Sequence, residues 1–119
     1  MNKHDETLAQ LREFVAERDW ARFHTPASLA KSISIEAAEL LEHFQWSEAP
    51  AEDVARDEEV RDELADVLTY CFMLADSLGW DVDEIVQAKL VKSARKHPAP
   101  GAAPSSGSGQ AGAKEATTS

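Results

Sequence analysis

The sequence predicts an all-α fold, and three observations carry that reading. Between residues 4 and 97, glycine occurs only at Gly79 and proline only at Pro26 and Pro50. Those breakers divide the chain into four long stretches rich in Ala, Leu, Glu, Lys and Arg, all good helix formers. No stretch alternates apolar and polar residues for the length a half-buried strand requires.

The first helix is expected from about Asp5 to Trp20, with Leu8, Leu11 and Val15 along one face. Thr25–Pro26 is a start signal: threonine's hydroxyl can accept from a free N–H of the first turn, and proline has no N–H to leave unpaired. The second helix then runs to about Gln45. A loop at 46–50 leads through an acidic stretch into a third helix reaching Leu78, and Gly79 supplies the residue on which a helix can end. Asp81 with Glu84 reads as the capping pair of a fourth helix, Val82 to about Lys96. Four helices in so short a domain bury a thin core. A second copy of the chain, as homodimer or homotetramer, is expected to complete the bundle.

Composition narrows the function. The chain has 119 residues, 43% hydrophobic and 29% charged, enough for a single domain with a core. Its formal charge of −10 argues against a nucleic-acid partner, which needs a basic face, and against binding to anionic lipid. No apolar run reaches membrane-spanning length, and the polar first ten residues lack the apolar core of a secretory signal. The expectation is no membrane and a cytoplasmic location. Cys71, the sole cysteine, rules out an intramolecular disulfide and a cysteine-based zinc site, and reads as a small core residue. From Pro98 onward there is no aliphatic residue beyond alanine, no methionine and no aromatic residue. Residues 1–97 are therefore expected to form the domain and 98–119 a flexible tail.

The second and third helices follow one plan. Leu29, Ile33, Ala37, Leu40, Leu41 and Phe44 form an apolar stripe on the former, and Val60, Leu64, Val67, Leu68, Cys71, Leu74 and Leu78 on the latter. A shift of 27 positions sets Ile33 on Val60, Ala37 on Leu64, Leu40 on Val67 and Phe44 on Cys71. The same shift sets Glu36 on Glu63 and Glu39 on Asp66. A carboxylate at a stripe's edge is costly to bury unpaired, yet both helices place one there and a second one turn along. Packed as an antiparallel hairpin, they would aim four carboxylates into one space. Residues 36–66 hold twelve acids and two bases, a balance equal to that of the whole chain. Clustered acids raise one another's pKa or recruit a cation, and an all-oxygen set favours Mg²⁺, or Mn²⁺, over zinc or copper. Taken singly, E-x-x-E is a weak signal, and the other acids read as solvated. A ferritin-like di-iron site would need Glu-x-x-His on two helices, and that pattern is missing.

The last helix carries Lys89, Lys92 and Lys96 along one edge, with Arg95 nearby. These residues read either as a solvated helix end favoured by the macrodipole or as ligands for the phosphates of a metal-bound polyphosphate. Trp20, Phe23 and His24 precede the second helix, and Trp46 follows it. They read as caps on a small core or as a stacking pocket for a nucleobase. Tyr70 and His43 hold equivalent positions one turn beyond the acid pairs, with Tyr70 in reach of a phosphate or a ligand carboxylate and His43 a supporting or packing group.

Glu36-Ala-Ala-Glu39, 23 residues, then Glu63-Leu-Ala-Asp66 resembles the E-x-x-E…E-x-x-D signature of the MazG-like all-α nucleoside triphosphate pyrophosphohydrolases. Ala16-Glu-Arg-Asp-Trp20 with Phe23-His24, Glu39-Leu-Leu-Glu-His-Phe-Gln-Trp46, Asp66-Val-Leu-Thr-Tyr70 and Lys89…Arg95-Lys-His-Pro98 are similar to the dCTP pyrophosphatase branch. The resemblance implies a four-helix bundle completed by oligomerisation. It implies Mg²⁺-dependent cleavage of an NTP or dNTP, dCTP among them, between the α- and β-phosphates. By motif position, Glu36, Glu39, Glu63 and Asp66 would hold the metal, with Glu36 or Glu39 as general base. Trp20, His24 and Trp46 would border the base, and Tyr70, Lys89 and Arg95 would face the phosphates. Lys92, Ser93 and Lys96 would lie beside the substrate. Ser93 stands where the family often has Asn and His97 where it often has Tyr, and serine has the shorter reach and fewer donors. A competing expectation is a catalytically silent helical dimer serving as an interaction module.

Overall fold

The computed structural model describes residues 2–101. Its helices are α1 (Lys3–Glu17), α2 (Pro26–Glu42), α3 (Ala51–Val54), α4 (Glu58–Ser77) and α5 (Val82–Lys96), with a 3₁₀ turn at Ala21–Phe23. There is no strand among the described residues, as the sequence predicts. Residues up to Trp80 form one compact unit, and those from Asp81 onward a second, which contains α5.

Local chemistry explains the boundaries. Asn2 caps α1, its side chain accepting from the Asp5 N–H at 2.8 Å. The helix ends at Glu17 rather than running to Trp20, because Asp19 turns left-handed at φ 53°. Asp tolerates that conformation better than most residues. The Trp20 N–H then folds back onto the Val15 carbonyl at 3.1 Å. Thr25 caps α2 as expected, accepting from the Ser28 N–H at 3.1 Å with Pro26 next in line. The Ser28 hydroxyl donates to the Phe23 carbonyl at 2.9 Å and ties the 3₁₀ turn to the helix start.

The acidic stretch ahead of the expected third helix holds a helical turn of its own. Pro50 opens the single turn of α3, and Asp57 then caps α4, accepting from the Glu59 and Val60 N–H groups at 3.0 and 3.3 Å. At the other end Gly79 adopts φ 74°. Its N–H reaches the Asp76 carbonyl at 3.1 Å and that of Trp80 reaches Ala75 at 2.9 Å, the paired bonds of a Schellman stop. In the second unit, Asp81 caps α5 through the Glu84 N–H at 3.0 Å.

Helix α2 packs along α4. Glu39 neighbours Glu63 while Glu36 neighbours Asp66, so the partner number falls as the other rises and the pair is antiparallel. Helix α1 lies on α4 through the His4–Phe72 ring contact and the Arg12–Asp76 ion pair. The core is thin. Leu29 and Ala75 are the buried apolar residues among those described. Leu8, Leu11 and Val15 of α1 are half-buried, as are Ile33, Leu40, Phe44, Val60, Val67, Cys71 and Leu74 of the two stripes. Ala37, Leu41, Leu64, Leu68 and Leu78 of those stripes stay exposed. Two packed helices cover only the face each presents to the other. Residues 102–119 of the expected tail lie outside the described residues.

Candidate metal centre

The antiparallel pairing of α2 with α4 turns the duplicated acid pattern into a cluster. Glu36, Glu39 and Glu63 each offer an oxygen, all within 4.8 Å of one another, and all three side chains are half-buried. Asp66 lies one turn along α4 from Glu63, exposed, and close enough for its charge to act on Glu36. Three carboxyl groups from two helices thus share one space, with Asp66 at its edge.

Burial and mutual repulsion act together on these carboxyl groups. Burial pushes the Glu36 carboxyl up, and the charges of Glu39, Asp66 and Glu63 add to the shift. Burial also raises Glu63, reinforced by the charge and hydrogen bond of Glu39. His43 opposes that rise, its Nε2 standing 3.9 Å from Glu63 Oε1. The other oxygen, Glu63 Oε2, is buried without a hydrogen-bond partner. An orphaned carboxylate oxygen is expensive. A hard divalent cation would satisfy it and relieve the mutual repulsion, so these residues fit Mg²⁺ or Mn²⁺. The chemistry open to such a site is to bind a polyanion through a cation and to accept a proton from water.

The other expected site residues are spread more widely. Tyr70 is half-buried on α4, on the side of Asp66. His24 is half-buried and lines a pocket between α1, the start of α2 and the end of α4. Trp20 instead packs edge-on against Phe14, ring centroids 5.5 Å apart. Trp46 lies beyond α2 at 89% exposure. Among the described residues no ring contact joins Trp20, His24 and Trp46 to one another. Lys89, Lys92, Arg95 and Lys96 are exposed on α5, while Ser93 is half-buried and its carbonyl accepts the His97 N–H at 2.8 Å.

His43, read from sequence as a supporting or packing group, stands 3.9 Å from Glu63. One feature escaped the sequence. Arg12 pairs with Asp76 across 64 residues of sequence, a partnership no local pattern announces.

An all-α hairpin with clustered carboxylates defines a class of acidic helical proteins whose side chains could hold a cation, and comparison with known sequences narrows it. The MazG-like family model matches residues 31–108, and the chain belongs to this family. It is similar to dCTP pyrophosphatase 1 of Bos taurus, 36% identical over 101 residues covering 77% of this chain and 60% of that protein. It is likewise similar to dCTP pyrophosphatase 1 of Homo sapiens, 36% identical over 106 residues covering 78% of this chain and 60% of that protein. The chain thus spans about 60% of the length of these curated relatives. Among solved structures it resembles a pyrophosphatase from Archaeoglobus fulgidus, with a TM-score of 0.75 and 44% identity. That match covers 83% of this chain and 95% of the archaeal one. No helix among the described residues is long and apolar enough to cross a membrane.

Proposed function

We propose that the chain is a Mg²⁺-dependent nucleotide pyrophosphohydrolase, which cleaves an NTP or dNTP, dCTP among the candidates, to NMP and pyrophosphate. Cleaning or balancing of the nucleotide pool is the role this chemistry serves. The observation that carries the reading is the meeting of Glu36, Glu39 and Glu63 from two helices, with a buried orphan oxygen at its centre. Support also comes from the pyrophosphatase names of the relatives and of the archaeal structure.

Glu36, Glu39, Glu63 and Asp66 would hold the cation. When bound, Mg²⁺ supplies neutralisation of the polyphosphate charge and activation of the attacking water. Glu36 or Glu39 takes the proton from that water as its oxygen attacks the α-phosphorus. The bond to the bridging oxygen breaks and pyrophosphate leaves with that oxygen. By motif position Tyr70, Lys89 and Arg95 would face the phosphates, with Lys92, Ser93 and Lys96 beside the substrate, and direct attack by water needs no covalent intermediate. Trp20, His24 and Trp46 border the base. Residues 1–97 act as the catalytic domain, in the cytoplasm, and a homodimer or homotetramer covers the exposed apolar side chains. His24 lines a pocket in this chain, and a second copy is the natural source of further wall.

A substrate panel tests the reading. Pyrophosphate, not orthophosphate, should appear from at least one nucleoside triphosphate in the presence of Mg²⁺, and EDTA should abolish its release. Orthophosphate from every substrate, or no release at all, would leave the cluster without this activity.

A further inference from the structure

The pocket beside α1 has a wall that the pyrophosphohydrolase reading does not use. Its volume is about 250 Å³, and its lining is largely apolar, with Leu11, Val15, Leu29 and Met73 among the side chains. That is below the ~300–1,000 Å³ of pockets for drug-sized ligands and suits a single heterocycle. Two charged groups interrupt the apolar lining, Arg12 from α1 and Asp76 from α4.

On α4 the pocket lining continues along the face that carries Asp66. At about 100° per residue, Met73 and Ser77 of its lining fall within about 20° of Asp66 on the wheel of α4. With a helical rise of about 1.5 Å per residue, Met73 to Asp76 stand roughly 10–15 Å from Asp66 along that axis. A sugar and triphosphate bridge such a gap, so phosphates at the acidic end set a base at the pocket end.

Arg12 and Asp76 meet side-on. Nε donates to Oδ2 at 3.0 Å, and Nη2 donates to Oδ1. The pair fixes the Asp76 carboxylate as an acceptor with one lone pair left on each oxygen. It also leaves the end-on N–H groups of Arg12, on Nη1 and Nη2, without a partner among the described residues. The wall therefore presents an acceptor next to two parallel donors.

We propose, resting on the pyrophosphohydrolase reading, that the Arg12–Asp76 pair is the specificity determinant of the site and reads the edge of a cytosine held in this pocket. Cytosine offers an amine donor, then a ring nitrogen and a carbonyl oxygen as acceptors. Asp76 accepts from the amine, and the Arg12 fork donates to the two acceptors. Uracil offers a carbonyl, a ring N–H and a second carbonyl. Its N–H opposes an Arg12 N–H and its carbonyl opposes Asp76, so two contacts turn repulsive. The Arg12 and Asp76 side chains are 59% and 32% exposed, so the mismatched edge is rejected by repulsion between like groups and not by burial.

Arg12→Lys and Asp76→Asn separate this role from a structural one. Lysine keeps the charge and its attraction to Asp76 but lacks the fork. In both variants the ratio of kcat/KM for dCTP over dUTP should fall by about tenfold or more, mainly through KM. A wild-type ratio in both variants overturns the proposal while leaving the pyrophosphohydrolase reading intact. Calorimetric titration of the unmodified protein with dCMP and dUMP needs no turnover. Preferential binding of dCMP supports the pocket assignment even if no pyrophosphate is released, in which case the parent reading fails alone. Equal binding of the two, or binding of neither, overturns the pocket assignment.

Discussion

Glu63 has one oxygen buried and unpartnered, while the other stands 3.9 Å from His43 Nε2. Glu63→Gln keeps the shape and removes the charge. It should lower turnover by roughly 10²-fold or more while the protein stays folded, since an aligned charge at a phosphoryl-transfer centre is worth several kcal/mol. Asp66→Asn should act in the same direction. Pyrophosphate release at saturating nucleotide, alongside circular dichroism, checks both. Asp76 answers to pH instead. Its hydrogen bond from Arg12, with that residue's charge, holds the carboxyl below its ordinary value of 3.8. A lowered folded-state pKa contributes stability above the unfolded value and loses it as pH falls through the folded one. The gap in melting temperature between wild type and Asp76→Asn should be steady above about pH 5 and close as the pH drops below 3.8. A gap unchanged across that window would show that the ion pair adds no stability. The acids were legible in sequence because a repeat at 27 residues doubled a weak motif. The Arg12–Asp76 pair was not, because a single charge on each of two distant helices leaves no periodicity.

Helix α4 carries two of the four carboxylates, and its ends fix where they stand. Gly79 closes it at φ 74°, and a Cβ placed there would meet no atom within 4 Å. Gly79→Ala should therefore cost about 1 kcal/mol from backbone strain alone, read as a lowered urea midpoint with an unchanged slope. Leu29 on α2 is 1% exposed and is the one large side chain fully buried among the described residues. Leu29→Ala should cost about 2–5 kcal/mol, enough to unfold much of a marginal domain. If that variant melted like wild type, the helix pair would not be the core. The caps at Thr25 and Asp81 and the stop at Gly79 were readable because each is a local rule of residue type. The early end of α1 was missed because a left-handed Asp19 has no such signature. The single turn of α3 inside the acidic stretch was not foreseen because Glu52 and Asp53 suit a loop and a first turn alike.

The whole chain presents more apolar surface than two packed helices can hide. Ile35, Leu41, Leu64 and Leu68 of α2 and α4 are between 46% and 65% exposed. On α5, Ile85, Val86, Leu90 and Val91 are between 41% and 61% exposed. Patches of this kind mark interaction surfaces. Sedimentation should accordingly return at least twice the 13.0 kDa chain mass, and a stable monomer would contradict the proposed assembly. A thin core was foreseen from length alone, but which faces remain open depends on how the helices pair, and composition does not encode that. The account turns on four side chains gathering around a divalent ion. Thermal melting with and without millimolar Mg²⁺, for wild type and for Glu63→Gln, asks this most directly. Binding to the folded state should raise the wild-type midpoint as the ion is titrated, and the variant should lose most of that rise. A wild-type midpoint indifferent to Mg²⁺ and Mn²⁺, or a variant that gains as much as wild type, would contradict the central claim.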